Sequence, residues 1–267
     1  MRVRGLHPGQ RAAKIGGMRR PAHSFVRTFD PEPERSLVLD HHYLLCVSSG
    51  LVRLEAAGRV WSLPPARAAL ITAHHPMLVT VVRPTVSASI LFEPGFVDAP
   101  AAPLAVFDLS PLARELIREC GAWGDDAEPL PPIGVTLFQA LAAVAHRAAR
   151  TPSPTAMPVG RTAEVRRALV LTQARLAEDP SAAEIAAAVG LTPRSLARRF
   201  EAELGMTWRA TVRRMRVLSA IELLAGDDAG VAQIAFQAGY GSLSAFNAAF
   251  RDLVGVTPSE YRATFGP

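Results

Sequence analysis

Arg194 and Arg198 stand four residues apart in a stretch with helical spacing, with Ser195 beside the first and Arg199 beside the second. Residues at i and i+4 share one face of a helix. A planar guanidinium bonds bidentately to phosphate, or to the O6 and N7 of guanine. The chemistry open to this spacing is the readout of a nucleic acid. Leu196 and Phe200 mark the inward side of the same helix, which leaves Arg194, Ser195, Arg198 and Arg199 facing out. Arg194 and Arg198 are expected at base edges, with guanine as a natural partner, and Arg199 at a phosphate. Further on, Leu243, Ser244 and Asn247 hold the outward positions of a second such helix, with Arg251 for phosphate. Asparagine can read adenine bidentately, and leucine can touch a thymine methyl. Ala245, Ala248 and Ala249 leave this helix little hydrogen-bonding capacity, so the first helix is expected to carry more of the specificity. A solvated helix also carries a basic face, so the reading depends on elements that would aim these residues at DNA.

Those elements are written twice. Ile185-Ala186-x-x-x-Gly190 followed by Leu196, Phe200, Leu204, Gly205 and Thr207 recurs as Ile234-Ala235-x-x-x-Gly239 followed by Phe246, Phe250, Val254, Gly255 and Thr257. Ser181 and Glu184 have the spacing of a capping box that opens a helix. Gly190 can adopt the left-handed conformation that ends it. Thr192 can cap the next helix, with Pro193 suited to its first turn. In the second copy Gly239 and Ser242 take those two parts. Ala186 and Ala235 are small enough for the paired helices to approach closely. Helix, tight turn and second helix make a helix-turn-helix, whose second helix enters the major groove. A long helix predicted over about 208–225 joins the copies. It could hold two reading heads near one turn of B-DNA apart, roughly 34 Å. Arg209, Arg213 and Arg214 sit near its start, where they could bind the DNA backbone or simply solvate the helix.

This C-terminal stretch resembles the AraC family of bacterial transcription regulators. The match is strongest in GYGSLSAFNAAFRDLVGVTPSEYR (239–262), at Gly239, Tyr240, Ser242, Phe246, Phe250, Gly255, Thr257-Pro258 and Tyr261-Arg262. AAEIAAAVGLTPRSLARRFEAELGMT (182–207) also fits. The resemblance implies binding of double-stranded DNA, contact with RNA polymerase, and a front half formed by a cupin-like barrel and a helical dimerisation hairpin. SSGLVRLEAAGRVWSLPPARAALITAHHP (48–76) looks like that barrel. It departs from the usual P-x-G turn, because Pro65 is followed by Ala66 and Arg67.

The front half supports such a reading on its own pattern. YLLCV, LVRLE, AALI, LVTVV and SASILF are short β-rich runs within 25–105, broken by Ser48-Ser49-Gly50, Ala57-Gly58, Pro64-Pro65 and His75-Pro76. Runs about ten residues apart suggest an antiparallel sandwich or barrel. Helices are expected over 111–122 and 134–150. TPSPTAMPVG (151–160) has three prolines and no apolar period, so it reads as a linker. The expected fold is α+β in two domains: a cupin-like β-barrel with a helical hairpin, then an all-α domain with two helix-turn-helix units joined by a long helix. The expected spans are a disordered basic tail (1–22), an effector barrel (23–107), the hairpin (108–150), the linker (151–160) and the DNA-binding domain (161–267).

His41, Tyr43, Trp61 and His74 are candidates for a small-molecule effector pocket, with His42 and His75 as alternatives to their neighbours. Adjacent strand residues point to opposite faces, so only one histidine of each pair can face inward. The same histidines could serve a metal-dependent cupin enzyme, but no suitably spaced glutamate completes a ligand set. No metal, cofactor or catalytic residue is expected. Cys46 and Cys120 lie in no C-x-x-C and read as buried thiols. The chain has 267 residues, 49% hydrophobic and 20% charged, which excludes general disorder. Its apolar runs are too short to span a membrane. The net charge is +5, and only Lys14 among the 29 basic residues is lysine. GC-rich coding can produce that bias, so composition alone does not mark a DNA binder. The first twenty residues hold six basic groups and no signal-like apolar core, and the protein is expected in the cytoplasm, free of membranes, with a homodimer as an option.

Overall fold

The computed structural model describes residues 20–65, 67–125, 129–226 and 229–263. Of the expected tail, residues 1–19 lie outside the described residues, and Ala22 already opens the first strand. The front half contains β1 (Ala22–Phe29), β2 (Glu32–Leu37), β3 (His42–Ala56), β4 (Arg59–Leu63), β5 (Arg67–Ile71), β6 (Met77–Phe92) and β7 (Leu104–Asp108). The short β8 (Met157–Pro158) joins them from the expected linker.

Two strands are longer than the runs in the sequence. YLLCV and LVRLE both belong to β3, and LVTVV and SASILF both belong to β6. Ser48-Ser49-Gly50 is therefore a bulge and not a turn: the register of β3 on β6 shifts between Val47 and Ser49 and again up to Val52. Gly50 has φ +90, and a Cβ there would stand 2.2 Å from the Pro84 carbonyl oxygen, so only glycine permits the close approach of the two strands. The Leu51 N–H donates to the Thr85 hydroxyl at 3.0 Å.

Because β3 and β6 are irregular at this point, their two halves serve two layers. One layer runs β1-β6-β3-β5-β7 and the other β2-β6-β3-β4-β8, antiparallel throughout. Among the described residues these layers do not join at their outer strands, so the expected barrel is an open, two-layered sheet. The edges are blunted: β2 is the charged run EPERSL, and β8 contains Pro158.

Burial on both faces explains why residues 43–47 of β3 and 68–71 of β5 are uniformly apolar. Tyr43, Leu45, Val47, Ala69 and Ile71 share the inner core with Val52, Leu54, Trp61 and Leu63. Leu44, Cys46, Ala68, Leu70 and Phe92 face the other way, onto Leu116, Phe138 and Leu141 of α1 (Pro111–Cys120) and α2 (Pro132–Ala149). Each face has its own set two residues apart. Cys46 and Cys120 are free and buried on that helical side, and burial pushes both thiols up, Cys120 to about 12.

The stretch 151–160 is a strap on the sheet and not a loose linker. The Ser153 N–H reaches the Val106 carbonyl at 2.7 Å and the Val159 N–H reaches Gly58 at 2.9 Å. Thr155 and Ala156 are buried. Its hydrogen bonds are to backbone of distant residues, which no local periodicity reveals.

The rest of the described chain is helical: α3 (Ala163–Ala174), α4 (Ala182–Ala188), α5 (Pro193–Leu204), α6 (Trp208–Gly226), α7 (Val231–Gln237), α8 (Leu243–Val254) and α9 (Pro258–Ala263), with a 3-10 turn at Leu176–Glu178. Ile185, Ala186, Leu196, Phe200 and Leu204 form one core with Val165 and Ala168 of α3. Ile234, Ala235, Phe246, Phe250 and Tyr261 form another against Val217, Ile221 and Leu224 of α6. At 1.5 Å per residue α6 is about 28 Å long. No helix among the described residues is long and apolar enough to cross a membrane.

Candidate nucleic-acid interface

The two helix-turn-helix units close in the same way. Leu191 N–H returns to the Ala186 carbonyl at 2.8 Å and Gly190 N–H to Ala187 at 3.1 Å; Tyr240 N–H returns to Ala235 and Gly239 N–H to Phe236, both at 2.9 Å. This double closure requires a left-handed residue between the helices, supplied by Gly190 (φ 75) and Gly239 (φ 85). The next helix is then capped. The Thr192 hydroxyl accepts the Ser195 N–H at 3.1 Å, and the Ser242 hydroxyl accepts the Ala245 N–H at 3.3 Å. Ser181 and Glu184 form the expected capping box, with the Ser181 N–H donating to Glu184 at 2.7 Å.

On α5 the inward side is Leu196, Phe200 and Leu204, each buried. Thr192, Arg194 and Arg198 are exposed, and Ser195 is half-buried. Arg199 is placed differently from the expectation of a free phosphate contact. Its Nη1 lies 3.1 Å from Glu164 Oε2 of α3, and it is half-buried. A second bond ties the same helices: Glu203 accepts the Arg161 N–H at 2.7 Å, the Thr162 N–H at 2.8 Å and the Thr162 hydroxyl at 2.8 Å. Burial raises the Glu203 pKa, but those bonds more than offset it and hold it below the ordinary value. So α5 is braced on its inner side and leaves Arg194 and Arg198 outward.

On α8 the buried positions are Phe246, Ala249 and Phe250. Ser242, Leu243, Ser244 and Arg251 are exposed and Asn247 is half-buried. Leu243 at the first position is 42% exposed, and Phe236 on the preceding α7 is 61% exposed. This second face is therefore mainly apolar and small, with short polar groups between. Phe236 stands just outside the repeat's Ile-Ala pair, so the repeat does not mark it.

The three arginines of α6 separate. Arg209 is exposed at the helix start. Arg213 is paired with Asp252 of α8 at 3.0 Å. Arg214 is half-buried and donates through Nε to the Ala156 carbonyl at 2.7 Å and through Nη2 to that of Pro154. It holds the strap, a part that neither of its expected readings included.

The four effector candidates do not share one cavity. Tyr43 and Trp61 lie in the packed inner core, and the Tyr43 hydroxyl is 2.9 Å from that of Ser89. His41 is buried, 2.5 Å from Asp40 and edge-on to the His23 ring. His74 is exposed, beside an open groove lined by Thr72, His75, Pro100 and Pro103. Among the described residues no three His, Cys, Asp or Glu side chains form a metal-holding group.

His42 is buried and accepts the Ala73 N–H at Nδ1, 3.1 Å away. Burial lowers its pKa, and His146, His41 and His74 lower it further. The unfolded chain therefore binds this proton first. Stability present above pH of about 6.5 is lost as pH falls through the lower native value. The thermal midpoint of the full chain should fall between pH 7 and 5. His42→Asn, whose amide oxygen can accept the same N–H, should flatten that slope, and an unchanged slope would remove His42 as its source.

A family described as a helix-turn-helix domain matches residues 185–264. The regulatory protein PocR of Salmonella typhimurium is 32% identical over 118 residues, covering 44% of this chain and 37% of that protein. The transcriptional activator RhrA of Rhizobium meliloti is 36% identical over 84 residues, covering 31% of this chain and 26% of that one. The chain thus spans well under half the length of these curated relatives. A solved transcriptional regulator with an AraC-type DNA-binding domain, from Chromobacterium violaceum, is 29% identical. It covers 39% of this chain and 92% of its own length, with a TM-score of 0.38.

Proposed function

We propose that the chain is a member of the AraC family of transcription regulators, a sequence-specific protein reading double-stranded DNA with two heads; the match of residues 185–264 to a helix-turn-helix family and the likeness to transcription regulators support this reading. The observation that carries the proposal is the duplicated geometry. Two helix pairs, closed by the same glycine turn, are joined by the rigid α6 and leave capped helix starts exposed. Arg194 and Arg198 of the first head read guanine edges, with Thr192 and Ser195 near the backbone and Arg209 at phosphate. Ser242, Leu243, Ser244 and Asn247 of the second head favour A·T pairs, through thymine methyls and adenine, with Arg251 at phosphate. Arg199 steadies α5 and reaches phosphate only if it leaves Glu164.

The front half serves as a cupin-like sensor in this reading. Support comes from its antiparallel, two-layered sheet. A small effector would act by shifting the population of domain arrangements. Homodimerisation through α1 and α2 fits the exposed Leu112 and Ile133 on that hairpin. Contact with RNA polymerase, and action as an activator in the cytoplasm, are carried over from the family.

Affinity for duplex DNA measured against salt tests the proposal. Each phosphate contact releases counterion worth a slope of about −0.9 in log affinity against log salt. Contacts from both heads should give a steep negative slope with the full chain, and Leu243→Ala with Asn247→Ala should weaken binding less than the arginine changes do. Binding that is absent, or that ignores salt, would overturn the reading.

A further inference from the structure

Arg67 is the residue at which the front half departs from the P-x-G turn, and it is 1% exposed. Its Nε donates to Asp108 at 2.8 Å and its Nη1 to the Thr155 hydroxyl at 2.6 Å. Its guanidinium lies 5.7 Å from the centroid of the Tyr261 ring. These contacts belong to four separate parts. Arg67 opens β5, Asp108 ends β7, Thr155 is on the strap, and Tyr261 is on α9, inside the core of the second head. Burial opposes the charge on Arg67, and Tyr261 and Asp108 hold its pKa above the ordinary guanidinium value. A buried arginine costs more to desolvate than an apolar side chain of its size and is weak evidence for stability as such. It does impose a geometry, because its planar fork satisfies only one arrangement of partners.

A second set of contacts joins the same two bodies. Glu222 of α6 accepts the Ser62 hydroxyl of β4 at 2.6 Å and lies 3.9 Å from Arg53 of β3, while its carbonyl accepts Arg83 of β6 at 3.3 Å. Glu222 sits among α6 residues that build the second core. The first head has its brace elsewhere, in Glu164 and Glu203 on α3 and α5. The sheet therefore meets the second head through Arg67 and Glu222, while the strap also holds the start of α6 through Arg214, and Met157 packs near Leu169 and Trp208 beside the first head. Arg194, Arg198, Leu243 and Ser244 stay exposed in this arrangement, so the sheet's contacts position the second head and do not cover either one.

We propose that Arg67 is a positioning residue that couples the sensor sheet, through the strap and Tyr261, to the second DNA-reading head. The inference rests on the DNA-reading function proposed above. Its test uses the full chain as wild type, Arg67→Met and Asp108→Asn, the last acting at a half-exposed carboxylate whose loss leaves the core intact. Amide exchange is followed at Ser153, Val159 and Tyr261, and at Ile185 and Leu196 as the reference in the first head. Binding is measured to a duplex with both half-elements and to one with the first alone. In Arg67→Met, exchange at the first three amides should rise at least tenfold with the reference amides unchanged. Affinity for the two-element duplex should fall about tenfold while affinity for the single element holds. Asp108→Asn should show the same pattern to a smaller degree. Exchange that rises everywhere alike, or nowhere, would overturn the coupling, as would equal loss on both duplexes. The exchange pattern judges the clamp without DNA, so a wild-type chain that bound no duplex would count against the reading of the heads and not be mistaken for failure of the clamp.

Discussion

Alanine at Arg194 and at Arg198 lowers affinity for the cognate duplex by about tenfold to a hundredfold each, with the fold unchanged. Both side chains are exposed on α5, and their Cβ atoms lie opposite the buried Leu196, Phe200 and Leu204. Removing them leaves no cavity, so thermal stability should move by no more than about 0.5 kcal/mol. A bidentate arginine–guanine pair carries about 1–3 kcal/mol of discrimination, and 1.4 kcal/mol is a factor of ten. The loss should be larger on the cognate sequence than on random duplex. Equal losses on both would show that these residues touch phosphate alone. Fluorescence anisotropy with the two duplexes, at one fixed salt concentration, distinguishes the outcomes.

Gly239→Ala should unfold the second head while sparing the first. Gly239 has φ +85, and a Cβ there would stand 2.6 Å from the Leu176 carbonyl oxygen and 2.9 Å from Arg216 Nε. Backbone sits on one side of that contact, so it cannot relax by rotating a side chain. Left-handed strain for a residue with Cβ adds about 1–3 kcal/mol, and the total should exceed ~3 kcal/mol. Gly190→Ala has the same left-handed φ but nothing within 4 Å of the added methyl. It should therefore cost only the conformational part, about 1–2 kcal/mol. Two glycines in the same motif are thus predicted to differ in effect, and thermal denaturation of the two variants checks the order. A larger loss for Gly190→Ala would contradict the close approach of the Leu176 carbonyl to Gly239.

The C-terminal domain was readable because its signals are local. Gly190, Gly239, Thr192, Ser242, Ser181 and Glu184 each act within a few residues, and each takes the expected part. The apolar spacing around Phe200 and Phe250 likewise needs no distant partner. The front half depends on pairing across long separations. Gly50 looks like a turn until Pro84, on another strand, is brought against it. Residues 151–160 look like a linker until Val106 and Gly58 supply backbone partners. Arg199, Arg213 and Arg214 all read in the sequence as phosphate-facing or solvated arginines, yet Glu164, Asp252 and the Ala156 carbonyl give them different tasks. Arg67 offered one visible signal, an arginine opening an apolar strand, but its partners come from three other elements. The histidines were legible as a group and not as a site, since His41 and His74 end in different surroundings.

Selection from a random duplex DNA library, with the full-length chain at two salt concentrations, tests the two-headed reading most directly. The account predicts an enriched motif with two half-elements about 10–10.5 base pairs apart, one helical turn. One element should contain guanines and the other A·T pairs, and the enrichment should weaken at the higher salt. A library that emerges without any enriched motif at either salt, or with a single element that survives disruption of α5, would contradict it.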